Sequence, residues 1–280
     1  MVIRIHAFAD EASPMIDGQI AAMLRNGVTG LEIRNVDGTN VSEITEDKAR
    51  EVLKKLQDHG LYVNSIGSPI GKIDIKNGDY KAHLDTFRHT LDVAQILQCS
   101  LIRMFSFYIP EGDDPAVYRT EIMEHLQEMA EIAAPTGIQL CHENEKGIYG
   151  DMAPRCLDIL NTVPALQGIF DPANFVQCGQ DTLEAWHMLK DRILYMHIKD
   201  AIADDGHVVP AGKGDGHVPE ILHEYLSTGR TDVTVEPHLK TFAGLSHLER
   251  PGETRSLESF VYPDNDAAFD AAVSALKAIA

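Results

Sequence analysis

Residues 138–144 read Ile138-Gln-Leu-Cys-His-Glu143-Asn144, a short apolar run that stops at a carboxylate. The next such run, Leu166-Gln-Gly-Ile-Phe170, stops at Asp171 and continues Pro-Ala-Asn174. A third, Ile193-Leu-Tyr-Met-His197, leads into Ile-Lys199-Asp200, and a fourth, Val233-Thr-Val-Glu236, into Pro-His238. Short β-branched and apolar runs read as buried strands, and the longer stretches between them leave room for a helix each. Upstream of this block the same alternation recurs in Ile3–Phe8, Gly30–Ile33, Leu61–Ser65 and Leu101–Phe105, so eight strands are expected. The clearest helix is Asp79–Leu97, where Tyr80, Leu84, Phe87, Leu91 and Ala94 fall on one face. Pro115–Ala134 and Asp264 to the carboxyl terminus carry similar stripes.

Strands separated by helices run parallel, because each crossover returns the chain to the same end of the sheet. Eight such units in 280 residues match a (β/α)8 barrel, read as one domain over residues 1–280. An open doubly wound sheet competes. It would favour a Gly-x-Gly-x-x-Gly turn after the first strand, and Phe8-Ala-Asp-Glu-Ala-Ser-Pro14 has none. The stretch Leu239–Tyr262 is long for a connection and is expected to be an extra short helix or a functional loop.

Charge narrows the partners. With 24 Lys+Arg against 43 Asp+Glu, the formal charge is −19. Such a surface repels nucleic-acid phosphates and anionic membranes, so neither is expected as a partner. The four cysteines, Cys99, Cys141, Cys156 and Cys178, form no Cys-x-x-Cys pair and suit a reducing compartment. The start, Met1 to Glu11, lacks the apolar core of a secretion signal, and no run reaches 18 apolar residues. A cytoplasmic protein acting on a small molecule is the expectation, with homo-oligomerisation left open.

In a barrel the carboxyl ends of the strands converge on one mouth, where chemistry is placed. Four successive strands there end in Glu143, Asp171, His197 and Glu236. Three clustered carboxylates repel one another unless a cation neutralises them. An oxygen-rich set with one imidazole suits one divalent ion, Mn²⁺ first, with Mg²⁺, Co²⁺ or Zn²⁺ as alternatives.

The motifs His142-Glu143-Asn144, Asp171-Pro172-Ala173-Asn174, His197-Ile198-Lys199-Asp200, Gly212-Lys-Gly-Asp-Gly216 and Val235-Glu236-Pro237 resemble those of the sugar isomerase/epimerase superfamily with xylose-isomerase-like TIM barrels. That superfamily includes ketose 3-epimerases, inosose dehydratases and endonuclease IV. The resemblance covers essentially the whole chain. It implies that Glu143, Asp171, His197 and Glu236 bind one metal, and that Glu143 and Glu236 also exchange protons with substrate carbon. The implied activity is a metal-dependent isomerase or epimerase passing through a metal-stabilised enediolate on a ketose, keto-sugar or sugar phosphate. A lyase that dehydrates a keto-sugar or inosose shares that intermediate and is the alternative.

Relatives often carry His where this chain has Asn174, which donates hydrogen bonds without carrying protons at neutral pH. They often carry Glu where it has Lys213. Substrate contacts are expected from Asn174, Lys199, Lys213, His6 and Glu32. Arg103 is expected in a buried ion pair, Gly67–Lys72 as a lid, and Tyr149 as a shield over the site. An endonuclease IV-like site would need additional histidines where this chain has Gly67-Ser68, Phe105-Ser106 and Asn174.

Overall fold

The structure is a computed structural model and describes residues 3–243 and 262–280. Eight parallel strands close into a barrel: β1 (Arg4–Ala7), β2 (Gly30–Ile33), β3 (Tyr62–Ile66), β4 (Leu101–Met104), β5 (Gln139–Glu143), β6 (Gln167–Phe170), β7 (Ile193–Ile198) and β8 (Asp232–Val235). Around the barrel they follow chain order, with β8 returning to pair with β1. All eight expected strands are present, and the single-domain TIM barrel is the observed fold. Register sets the height of the site: Glu143 lies beside Ile169, and His197 beside Thr234.

The helices form where the stripes lie. Among the described residues they are α1 (Ile16–Asn26), α2 (Glu46–Asp58), α3 (Tyr80–Ile96), α4 (Arg119–Ala133), α5 (Ala153–Thr162), α6 (Pro172–Gln177), α7 (Thr182–Leu189), α8 (Val218–Ser227) and α9 (Asn265–Ile279). Several begin at a side chain that accepts an otherwise orphaned backbone N–H: Asp79 from Ala82, Thr45 from Lys48 and Asp264 from Ala267. The segment expected as one helix from Pro115 instead opens with a 3-10 turn, Pro115–Val117, before α4.

Apolar residues from the inner helix faces and the outer strand faces make one continuous core, with Phe87, Phe170, Phe175, Trp186, Tyr225 and Phe269 at most 1% exposed. The chain ends are tied together, since Arg25 of α1 pairs with Asp266 and Asp270 of α9. Two short antiparallel pairs, Asn35–Val36 with Thr39–Asn40 and Asp200–Ala201 with Val208–Val209, project beyond β2 and β7. The extra short helix or functional loop expected within Leu239–Tyr262 falls largely on residues 244–261, which lie outside the described residues. No described helix is long and apolar enough to cross a membrane.

Candidate metal centre

The ring of strands delivers four side chains to one point at its carboxyl end. Glu143 is the last residue of β5, Asp171 follows β6, His197 lies near the end of β7, and Glu236 follows β8. Each is buried, and each offers a ligand atom within 4.8 Å of those of the other three. The donor set fits a divalent cation. Asp171 Oδ1 caps α6 by accepting the Asn174 N–H at 2.9 Å, while Oδ2 accepts no hydrogen bond and faces the Lys199 ammonium at 3.0 Å. Glu143 Oε2 likewise accepts none and faces Arg103 at 3.2 Å. Lys199 also reaches Glu236 Oε2 at 2.8 Å. His197 Nδ1 lies 2.8 Å from Glu143 Oε1 and 3.9 Å from Glu236 Oε2.

Burial and charge shape the titration of this cluster. Burial raises the Asp171 carboxyl above the usual range, with Glu236 and Glu143 adding to the rise against the pull of Lys199. Burial acts the same way on Glu236, but Lys199, His238, His197 and Arg34 together outweigh it and hold that carboxyl well below its ordinary value. Burial alone would lower His197, yet Glu143 and Glu32 keep its imidazole protonated up to about 10. Before metal loading the ring is therefore a cation at neutral pH.

A metal taking Nδ1 must displace that proton. Loading at pH 7.5 is expected to release about one proton per ion from His197, and apparent affinity to rise with pH until about 10. Calorimetry in two buffers of different ionisation enthalpy measures the release, and a value of zero removes His197 from the ligand set. The same shift makes a metal-free fold lose the His197 contribution as pH climbs from 6.5 towards about 10.

A second layer of charge surrounds the cluster. Arg34, 1% exposed, grips Asp10 through two nitrogens at 2.9 and 3.0 Å, Glu11 at 3.0 Å and Glu236 Oε1 at 3.1 Å. His238, in the left-handed region with φ 46°, donates its backbone N–H to Glu11 Oε2 and sets Nδ1 3.1 Å from Glu11 Oε1. Sequence reasoning missed Asp10, Glu11, Arg34 and His238. The signal for Arg34 was its two-residue offset from Glu32 at the end of β2.

Asp200 was also missed. Its carboxylate accepts the N–H groups of Ala201, Gly212, Gly214 and Gly216, so the glycine-rich turn wraps around it. A Cβ on Gly214 would lie 2.4 Å from the Ala201 oxygen, which requires glycine there.

The remaining expected site residues divide. Asn174 and Lys199 join the cluster, Asn174 Nδ2 lying 2.9 Å from the Asn144 oxygen and 3.4 Å from Glu143 Oε1. Lys213 is exposed on its turn. His6 and Glu32 do not reach the mouth. His6 hydrogen-bonds at 3.0 Å to Asp232, which opens β8, and packs edge-on against Tyr62, which opens β3, so it serves the opposite end of the barrel. Glu32 is fully buried behind His197 and bonds to it at 3.2 Å.

Arg103 does form a buried pair, and its partner is Glu143. Gly67–Lys72 is strapped into the rim instead of lying free as a lid. Gly67 donates to Ile33, Gly71 donates to His83 at 2.8 Å, and Lys72 pairs with Glu145 at 3.0 Å. Tyr149 turns its hydroxyl to Asp158 on α5, away from the cluster, and so does not shield it. All four cysteines are free.

The sequence matches the model of the xylose isomerase-like TIM barrel family over residues 20–254. No curated protein matches it in sequence. Solved structures with the same fold include the probable 3-DHS dehydratase AsbF involved in petrobactin synthesis from Bacillus anthracis, at TM-score 0.75 and 18% identity, covering 99% of both chains. A D-allulose 3-epimerase from Methylomonas sp. in complex with D-allulose superposes at TM-score 0.73 and 19% identity, covering 100% of this chain and 98% of that one. The IolI protein with a bound zinc atom superposes at TM-score 0.72 and 16% identity, covering 99% and 98%.

Proposed function

We propose, for a chain that belongs to the xylose isomerase-like TIM barrel family, that it is a divalent-metal-dependent sugar isomerase or epimerase acting beside the carbonyl of a ketose, keto-sugar or sugar phosphate. The observation that carries this is the convergence of Glu143, Asp171, His197 and Glu236 on one buried point. The D-allulose complex of a protein with the same fold supports a sugar as the substrate class.

Glu143, Asp171, His197 and Glu236 would hold the ion, with Mn²⁺ preferred by the donor set. When bound, the ion supplies Lewis-acid stabilisation of the negative charge that develops on the carbonyl oxygen. This chain's own groups supply the proton traffic. Glu143 and Glu236 project from β5 and β8, with two strands between them, and are assigned as the bases that take a proton from one carbon face and return one to the other. Arg103 at 3.2 Å and Arg34 at 3.1 Å hold one oxygen of each, leaving the second oxygen oriented inward. Asn174 and Lys199 are assigned to substrate hydroxyls, Asn174 as a hydrogen-bond donor only.

The test is a panel of ketoses, inososes and their phosphates in deuterated buffer with Mn²⁺. Deuterium gained at the carbon beside the carbonyl, with an isomeric sugar and no loss of water, is the expected result. An ultraviolet-absorbing enone formed with loss of water assigns the chain to the dehydratases instead, and no exchange with any member rejects the proposal.

A further inference from the structure

A polar thread runs through the barrel behind the metal centre. Ser65 Oγ and Tyr195 Oη lie 3.0 Å apart, the Tyr195 hydroxyl donates to Glu32 Oε1 at 3.0 Å, and Glu32 Oε2 meets His197 Nε2 at 3.2 Å. All four residues are 1% exposed or less. Tyr195 and His197 are two apart on β7, so the strand aims both at the same side, where Glu32 arrives from β2 and Ser65 from β3.

An ionised carboxylate only accepts hydrogen bonds, so Glu32 demands a proton on Nε2 of His197. That choice turns Nδ1 towards Glu143 and Glu236. Both Glu32 oxygens are engaged, one by Tyr195 and one by His197, so the carboxylate cannot swing away without breaking a buried hydrogen bond.

We propose that Glu32 is the positioning residue of the metal centre, holding the His197 ring with Nδ1 facing the three carboxylates, and that Tyr195 holds Glu32 in turn. The inference rests on His197 being a metal ligand. A carboxylate behind a ligating histidine fixes the tautomer and raises the basicity of the ligating nitrogen. This role accounts for a fully buried carboxylate in a barrel strand whose two oxygens are spent on Tyr195 and His197.

The test titrates Mn²⁺ and Co²⁺ into the full-length chain, Glu32→Gln and Tyr195→Phe, with affinity read by chelator competition. Glu32→Gln is expected to weaken both metals by about 10- to 100-fold, with a smaller loss in the same direction for Tyr195→Phe. In the Co²⁺-loaded protein, the paramagnetically shifted Nε2–H resonance of His197 is expected to exchange slowly with solvent, and faster in Glu32→Gln. A role in packing alone would move neither readout. Should Glu32→Gln fail to fold, Tyr195→Phe carries the same two readouts. Equal affinity and an unaltered resonance in the variants overturn the inference while the metal reading stands. An unaltered chain that binds neither metal overturns both.

Discussion

Glu236→Gln is expected to slow exchange of the substrate's carbon-bound hydrogen by about 10²- to 10⁴-fold, the range of a lost general base. Glu143→Gln is expected to do the same at the opposite carbon face. Substrate affinity should fall far less, because an amide keeps an oxygen where the carboxylate stood. Neighbouring charge makes Glu236 the more informative variant: Lys199, His238, His197 and Arg34 together hold its carboxyl well below its ordinary value, so it is ionised at neutral pH. The amide leaves Arg34 with Asp10 and Glu11, and Lys199 with Asp171, so neither cation is stranded. Deuterium uptake per turnover, measured with saturating metal, separates loss of the base from loss of the ion. Unchanged exchange in both variants removes Glu143 and Glu236 from the proton-transfer role.

Asp171→Ala is the variant expected to damage both binding and fold. It deletes a candidate ligand, the side chain that caps α6 and a partner of Lys199. Lys199 keeps Glu236 at 2.8 Å, so no charge is stranded and the loss is mainly that of the helix cap, about 1 kcal/mol, which for a chain of this size lowers the melting temperature by about 2–4 °C. Metal affinity should fall by more than the ~10- to 100-fold expected for loss of an outer partner such as Glu32. Thermal melts with and without Mn²⁺ check this: the ion should stabilise the unaltered chain and leave the variant's melting temperature unmoved. Equal stabilisation of both by Mn²⁺ would place the ion elsewhere.

The barrel was legible because its signal is local. Each strand is a short apolar run, each main helix carries a stripe, and the count of eight admits few other closures. The ligand set was legible for a related reason, since residues that end consecutive parallel strands must share one rim. What escaped were pairings across the barrel, which no local spacing encodes. Glu32 and His6 are buried polar residues on neighbouring strands, and both were expected at the mouth. The actual partners, His197 for Glu32 and Asp232 for His6, lie more than 160 positions away in sequence and send the side chains to different levels. Arg34 was passed over because its partners, Asp10, Glu11 and Glu236, sit at both ends of the chain. The Asp200 carboxylate explains the glycine-rich turn only once the turn is seen folded around it.

Crystals soaked in Mn²⁺ and measured at the manganese absorption edge ask the central question directly. One anomalous peak is expected, bonded to oxygens of Glu143, Asp171 and Glu236 and to Nδ1 of His197, with the Lys199 ammonium displaced from between Asp171 and Glu236. A peak elsewhere, such as among Glu11, Glu236 and His238, or no peak with Lys199 still seated between the two carboxylates, would contradict this assignment.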